Sequence, residues 1–384
     1  MWSFALSSCK RLGSQRFRGR EFLSILTSAL LLGGCMSQPH GLKGSGTSPQ
    51  GDALISALLP ERISDRTGWE RDIQMSLTAL GLSVNQPHVC AVIAVIQQES
   101  GFQVDPVIPD LGTIASQEID RRAHSQGLPL LLVHAALDLK SSDGRTFAAR
   151  IRAAKTEKEL SDIYEDFIRQ IPMGHRLFED SNPIRTRGPM QVNVAFARRF
   201  AAQQPYPYPI RTSLEEELFT RRGSLYFGIA HLLAYDAPYT AYLYRFADYN
   251  AGQYASRNAA FQTAVTLAAA RSLTADGALL PTRGRQAVAA GSTEAALLTI
   301  RRNLGLSDTE IHEALESGDQ RRFEQSALYQ RVFALAERRA DRPLPRARLP
   351  DIKLVGPKIT RALTTQWYAQ RVNTRFASCT RRML

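Results

Sequence analysis

Cysteine is scarce in this sequence, with four in 384 residues, at positions 9, 35, 90 and 379. So low a count excludes a small disulfide-dense scaffold, and none of the four stands in the C-x-x-C spacing of a metal or redox site. The seven histidines show no H-x-x-x-H spacing, and no glycine-rich phosphate loop occurs, so neither a metal nor a cofactor is expected. No run of alternating residues is long enough to argue for a large sheet, and there is no internal repeat. An apolar fraction of 44% and a charged fraction of 22% are ordinary for a globular chain, which removes collagen-like, coiled-coil and low-complexity classes. The length fits roughly two domains or one enlarged one.

The N-terminus reads as a targeting segment rather than as part of a fold. Lys10, Arg11, Arg16, Arg18 and Arg20 form a positive region, followed by an apolar stretch of 13 residues from Phe22 to Gly34. That stretch is too short to span a bilayer, which takes ~20 apolar residues in a helix. It ends in Leu32-Gly33-Gly34-Cys35, which resembles the lipobox at which bacterial lipoproteins are cut and acylated. The expectation is a signal peptide over residues 1–34, lipidation of Cys35 and a tether over residues 35–60. Met36, rather than an aspartate, follows the cysteine and points to the outer membrane, facing the periplasm.

Loss of residues 1–34 removes five basic residues and Glu21, so the net charge falls by four from +12 to +8. A basic chain ordinarily suggests nucleic acid or anionic lipid as a partner. Export rules out nucleic acid and leaves cell-wall stem peptides and phospholipid headgroups. With Cys9 discarded and Cys35 acylated, Cys90 and Cys379 remain, and in an oxidising compartment they can pair, although Cys90 fits equally as a small buried apolar residue.

Beyond the tether the signals are helical. Val89 to Ile96 is almost wholly apolar after Pro87, with Gly101 as a stop, so this helix should be buried on all sides. Thr156 with Glu159, Ser213 with Glu216 and Ser307 with Glu310 have capping-box spacing. Leu160, Ile163, Tyr164, Phe167 and Ile168 then fall on one helical face. A basic, proline-rich connector runs from Arg338 to Pro350.

Glu99 ends the apolar helix, three, four and seven residues after Ile96, Val95 and Val92, and so on a face built for burial. The negative end of a helix dipole and an apolar wall both favour the protonated carboxyl, which is how an acid catalyst keeps its proton near neutral pH. Two further clusters follow, Gly188-Pro189-Met190-Gln191 and Tyr249-Asn250-Ala251-Gly252, the second after a helical pattern that contains Gly228. The set Glu99-Ser100, then Gly188 with Met190-Gln191, then Gly228, then Tyr249 to Gly252, resembles the lytic transglycosylases over about residues 85–265. The chain is also similar to a family of lipoproteins built on that domain.

The resemblance implies a mainly α, lysozyme-like fold with a large helical insertion and a helical C-terminal extension. It implies that Glu99 is acid and then base at the bond between N-acetylmuramic acid and N-acetylglucosamine of peptidoglycan, giving 1,6-anhydro ends. Gln191 and Tyr249 would contact the substrate or orient Glu99, with Ser100 and Asn250 in support and Met190 either a contact or a core residue. Pro189 departs from the usual Leu, and the 88 residues from Ser100 to Arg187 far exceed the family's gap. The expected division is therefore a catalytic domain over 61–269, with an insertion at about 103–187, and a C-terminal region over 270–384. The insertion or that region would offer a surface to a cell-wall protein. A muramidase using water would need a second carboxylate, for which Asp105, Asp110 and Asp248 are the candidates. A non-catalytic cell-wall scaffold is the reading from another class. The aromatic run from Tyr226 to Tyr254 would be mostly core, with some rings free for sugars.

Overall fold

The computed structural model describes residues 49–171, 173, 182–280, 292–356 and 361–383, and over these the chain is mainly helical. The signal segment, Cys35 and the start of the tether lie outside the described residues. No helix among the described residues is long and apolar enough to cross a membrane.

The main core is built on α3 (Gln86–Glu99). Asn85 caps its start by accepting from His88 N–H at 2.9 Å, and a proline occupies the first turn. Val89 to Ile96 are each at most 1% exposed. The run is rich in β-branched residues of modest helix propensity. Burial, roughly 1.5–3 kcal/mol for each Val or Ile, decides the conformation instead. The helix stops at Ser100 and Gly101, whose N–H groups both point to Ile96 O, with Gly101 in the left-handed region.

Around α3 pack α1 (Pro49–Leu58), α2 (Arg66–Ala79), α10 (Arg221–Leu233), α11 (Tyr242–Ala251) and α17 (Thr365–Thr380). Two boundaries of the sequence reading are corrected here. Ile55, Leu58 and Leu59 are buried in the main core, so the stretch from Pro49 to 60, expected as tether, is part of the fold. Nor is 270–384 a single extension. Residues 292–344 form a second core with α12 (Ala255–Ala269), made by α13 (Ser292–Thr299), α14 (Arg301–Leu304), α15 (Asp308–Glu316) and α16 (Ala327–Ala340). The chain then returns to the first core through a short hairpin of β3 (Lys353–Leu354) with β4 (Leu363–Thr364), and α17 follows directly. Tyr368, Ala369, Val372 and Cys379 recur at helical spacing, and that one stripe buries α17 against α3 and α11.

The segment expected as an insertion has its own small core, drawn from α4 (Leu111–Ser125), α6 (Phe147–Ala153) and α7 (Glu157–Gln170), with Ile184 and Phe219 added. Thr156 and Glu159 form the full capping box at the head of α7, and Ser307 with Glu310 do so for α15. Ser213 caps the short α9 (Leu214–Glu217) in one direction, by accepting from Glu216 N–H. Between α4 and α6, α5 (Leu130–Leu137) has no buried residue.

Candidate active site

After α7 comes a two-stranded hairpin of β1 (Thr186–Arg187) and β2 (Val192–Asn193), which leads into α8 (Val194–Ala201). Four residues, Gly188 to Gln191, make its turn, closed by Gln191 N–H donating to Gly188 O at 2.8 Å. Proline at the second turn position suits the fixed φ that such turns use, so Pro189 costs the loop no needed donor. Gly188 is at φ 70°, and a Cβ there would lie 2.1 Å from Leu218 O. Gly188→Ala should therefore destabilise the protein by about 1–3 kcal/mol and displace the turn, read as a lower urea midpoint. An unchanged midpoint would count against this account of the turn.

Gln191 itself holds φ 52°, uncommon for a residue with a side chain. Its amide is fixed at both ends. Oε1 accepts from Thr186 Oγ1 at 2.8 Å, and Nε2 donates to Glu157 Oε2 at 2.9 Å. A left-handed backbone of this kind persists only where its surroundings hold it.

Met190 does not reach a ligand. It is fully buried, its sulfur lying where Gly228 leaves room, since a Cβ on Gly228 would come within 2.5 Å of Sδ. Its place among substrate contacts is corrected to core packing, and the same contact explains why α10 carries a glycine at that point. Ser100 also turns inward, its hydroxyl on Ile96 O at 3.2 Å. Tyr249 lies on α11, and its hydroxyl donates to Met190 O at 2.7 Å. It steadies the hairpin and does not hydrogen-bond Glu99, which corrects the orienting role implied for it. The ring of His231 meets that of Tyr249 edge to face at 5.0 Å, and burial pushes His231 down to about 4, so it stays neutral there. Asn250 Oδ1 accepts from Thr365 Oγ1 at 2.7 Å, joining α11 to the head of α17.

Glu99 is the half-buried end of α3. Burial raises its pKa most, the charge of Glu157 raises it further, and a hydrogen bond from Tyr368 opposes both. Tyr368 Oη donates to Glu99 Oε1 at 2.5 Å. Its own pKa is held well above that of a free tyrosine by burial and by the neighbouring carboxylate, so the phenol remains a donor. The site thus contains an acid that holds its proton more tightly than a free glutamate, a fixed amide and a second carboxylate, Glu157, which is itself buried. Proton delivery to an ether oxygen is within its chemistry.

Sequence reasoning missed Tyr368 and Glu157. No motif marks α17, and Glu157 was visible only as an acid in the first turn of a capped helix, where acids are common for electrostatic reasons alone. The three aspartates proposed for a second carboxylate are not among the groups that bear on Glu99. Asp105 and Asp110 are exposed. Asp248 is buried, accepting from Tyr235 Oη at 2.9 Å, Tyr239 Oη, Tyr254 N at 3.0 Å and Ser256 N at 2.7 Å, and it caps the turn into α12.

A cavity of about 850 Å³ lined by residues including Arg71, Lys158, Tyr208 and Arg211 contains none of Glu99, Gln191 or Tyr249. Of its other cations, Arg221 is paired with Asp72 and Asp65, and Arg222 with Glu217.

Cys90 and Cys379 are joined by a disulfide, with Cα atoms 5.5 Å apart. Among the described residues no group of three or more His, Cys, Asp or Glu side chains is placed to hold a metal ion.

Residues 62–382 match the model of a family described as "Protein of unknown function (DUF1615)". The chain is 45% identical over 355 residues to "Uncharacterized protein YaiW" of Escherichia coli (strain K12), covering 92% of this chain and 96% of that protein. No solved structure matches.

Proposed function

This chain belongs to the DUF1615 family, and we propose that it is a membrane-tethered lytic transglycosylase of peptidoglycan. The observation that carries the reading is Glu99, an acid at the C-terminal end of a buried helix. It shares a site with the constrained Gln191, and Tyr249 braces the turn that holds Gln191. Protonated Glu99 gives its proton to the oxygen linking N-acetylmuramic acid to N-acetylglucosamine, and that bond breaks, releasing the N-acetylglucosamine 4-hydroxyl. The carboxylate then takes the proton of the muramyl 6-hydroxyl as its oxygen bonds to C1. Glu99 ends protonated again, no water is consumed, and the product is a 1,6-anhydro ring. Tyr368 favours the carboxylate of the second half and burial favours the acid of the first.

A second reading is supported by Glu157. A water-using muramidase needs a second carboxylate, and this one bears on Glu99 electrostatically. It is, however, engaged by Gln191 Nε2. Mass spectrometry of muropeptides released by the purified protein separates the two. The transglycosylase product is lighter by one water than the muramidase product, and fully hydrated reducing ends would move the assignment to hydrolysis through Glu157.

The proposal includes acylation at Cys35 and residence at the outer membrane, facing the periplasm, supported by the lipobox and Met36. Cys35→Ala is expected to accumulate as an unprocessed or mislocalised precursor, and equal membrane recovery of an unacylated variant would count against the tether.

A further inference from the structure

Within the set of motif residues, no side chain holds the Glu99 carboxyl. The hydroxyl of Tyr249 is engaged by Met190 O, and Gln191 is engaged by Thr186 and Glu157. The group that does reach it comes from 269 residues further along the chain. We propose that α17 is part of the catalytic apparatus, with Tyr368 as the positioning residue that fixes the Glu99 carboxyl for proton transfer. This rests on the reading of Glu99 as the acid.

Three ties show that the alignment of α17 on α3 is built in. Gln86 Nε2 donates to Thr380 O at 2.8 Å, Cys90 is bonded to Cys379, and Glu99 meets Tyr368. The partners run in opposite order along the two helices, so the pair is antiparallel. From the disulfide to the carboxyl is nine residues along α3, about 13 Å, and from the disulfide to the phenol is eleven along α17, about 16 Å. Between these ends Ala369 and Val372 are fully buried and Tyr368 is 3% exposed. The ring has no room to swing, whereas a glutamate on the last residue of a helix has three free torsions. A hydroxyl on a locked ring selects among them, and selecting one geometry at a reacting centre is worth much in rate.

The bond also sets how readily Glu99 changes state. The titratable and charged groups around it are Glu157 of α7, Tyr249 of α11, and Tyr368 of α17, which has Arg375 nearby on the same helix. Neutral His231 of α10 abuts Tyr249. Burial and Glu157 hold the proton on, and Tyr368 lets it leave.

The test uses full-length protein as wild type, Tyr368→Phe, and a form with 3,5-difluorotyrosine at position 368, which keeps the packing and strengthens the donor. Isotope-edited infrared titration follows the Glu99 carboxyl, with Glu99→Gln identifying its band. Removing a donor to the ionised form should move the Glu99 midpoint to higher pH, and the fluorinated ring should move it lower. On peptidoglycan, Tyr368→Phe should lose about 10²-fold in kcat with KM within about twofold, and the alkaline limb of its rate profile should move up with the midpoint. Midpoints and kcat unchanged in both variants, with melting temperatures like wild type, would overturn the role of Tyr368. If wild type cleaves no peptidoglycan, the transglycosylase reading fails. The titration then still decides whether Tyr368 governs Glu99, since opposite shifts uphold the coupling and none refutes it.

Discussion

Glu99→Gln should leave a folded protein whose release of muropeptides falls by about 10²- to 10⁴-fold, the contribution of general acid–base catalysis taken alone. Glutamine keeps the shape and still accepts from Tyr368, whose hydroxyl lies 2.5 Å from the native carboxyl. It can neither deliver nor receive the proton. Stability should move the other way. Because the Glu99 pKa is raised on folding, the folded state binds the proton more tightly than the unfolded one. Stability of the wild type therefore falls as pH rises from the ordinary glutamate value of 4.5 through the raised one. Gln has no such loss, so its melting temperature should exceed that of wild type at neutral pH, and the gap should close below pH 4.5. A variant that melts at the same temperature as wild type throughout this range would show that Glu99 is not disfavoured as an ion. A variant that keeps full activity would remove Glu99 from the mechanism. If both proteins bind cell walls and neither releases anything, the chain is a cell-wall scaffold.

Replacing Cys90 and Cys379 together by alanine should cost about 4 kcal/mol. The two are separated by 289 residues in sequence, and cross-links over long loops restrict the unfolded chain most. At about 2–4 °C per kcal/mol for a chain of a few hundred residues, the melting temperature should fall by roughly 10 °C. The native bond should also survive mild reductant, because Cys90 is 0% and Cys379 2% exposed. Equal melting curves for wild type and double variant would mean that α17 is held by its apolar stripe alone.

What was legible in the sequence was local. The burial of α3 could be read from eight consecutive apolar residues, and its ends from Pro87 and Gly101, because those signals act within one or two turns; the Asn85 cap was not read. The turn at Gly188 to Gln191 was legible as a motif, although its chemistry was read too generously, since nothing in the sequence says that Met190 fills the space beside Gly228. Tyr368 was beyond reach for a different reason. Its partner is 269 positions away, and a tyrosine on an amphipathic helix is most simply a core residue. The domain limits failed where one segment serves two cores in succession, as the C-terminal part does when it leaves α16 and returns to α3. The basic, proline-rich stretch from Arg338 to Pro350 marks a connector there, but nothing in it says that the segment beyond packs back on α3.

The pairing of α3 with α17 also fixes the order in which the molecule can be completed. At about 5–20 residues per second of synthesis, Cys90 precedes Cys379 by roughly 15 to 60 s, with 289 residues still to follow. Throughout that interval α3 keeps its free thiol and an uncovered apolar flank. Contacts of such long sequence separation also form slowly. A ribosome that stops early, or a protease that trims the last twenty residues, leaves Glu99 without Tyr368 and Cys90 without its bond. Fragments cut short from that end should therefore be quickly degraded.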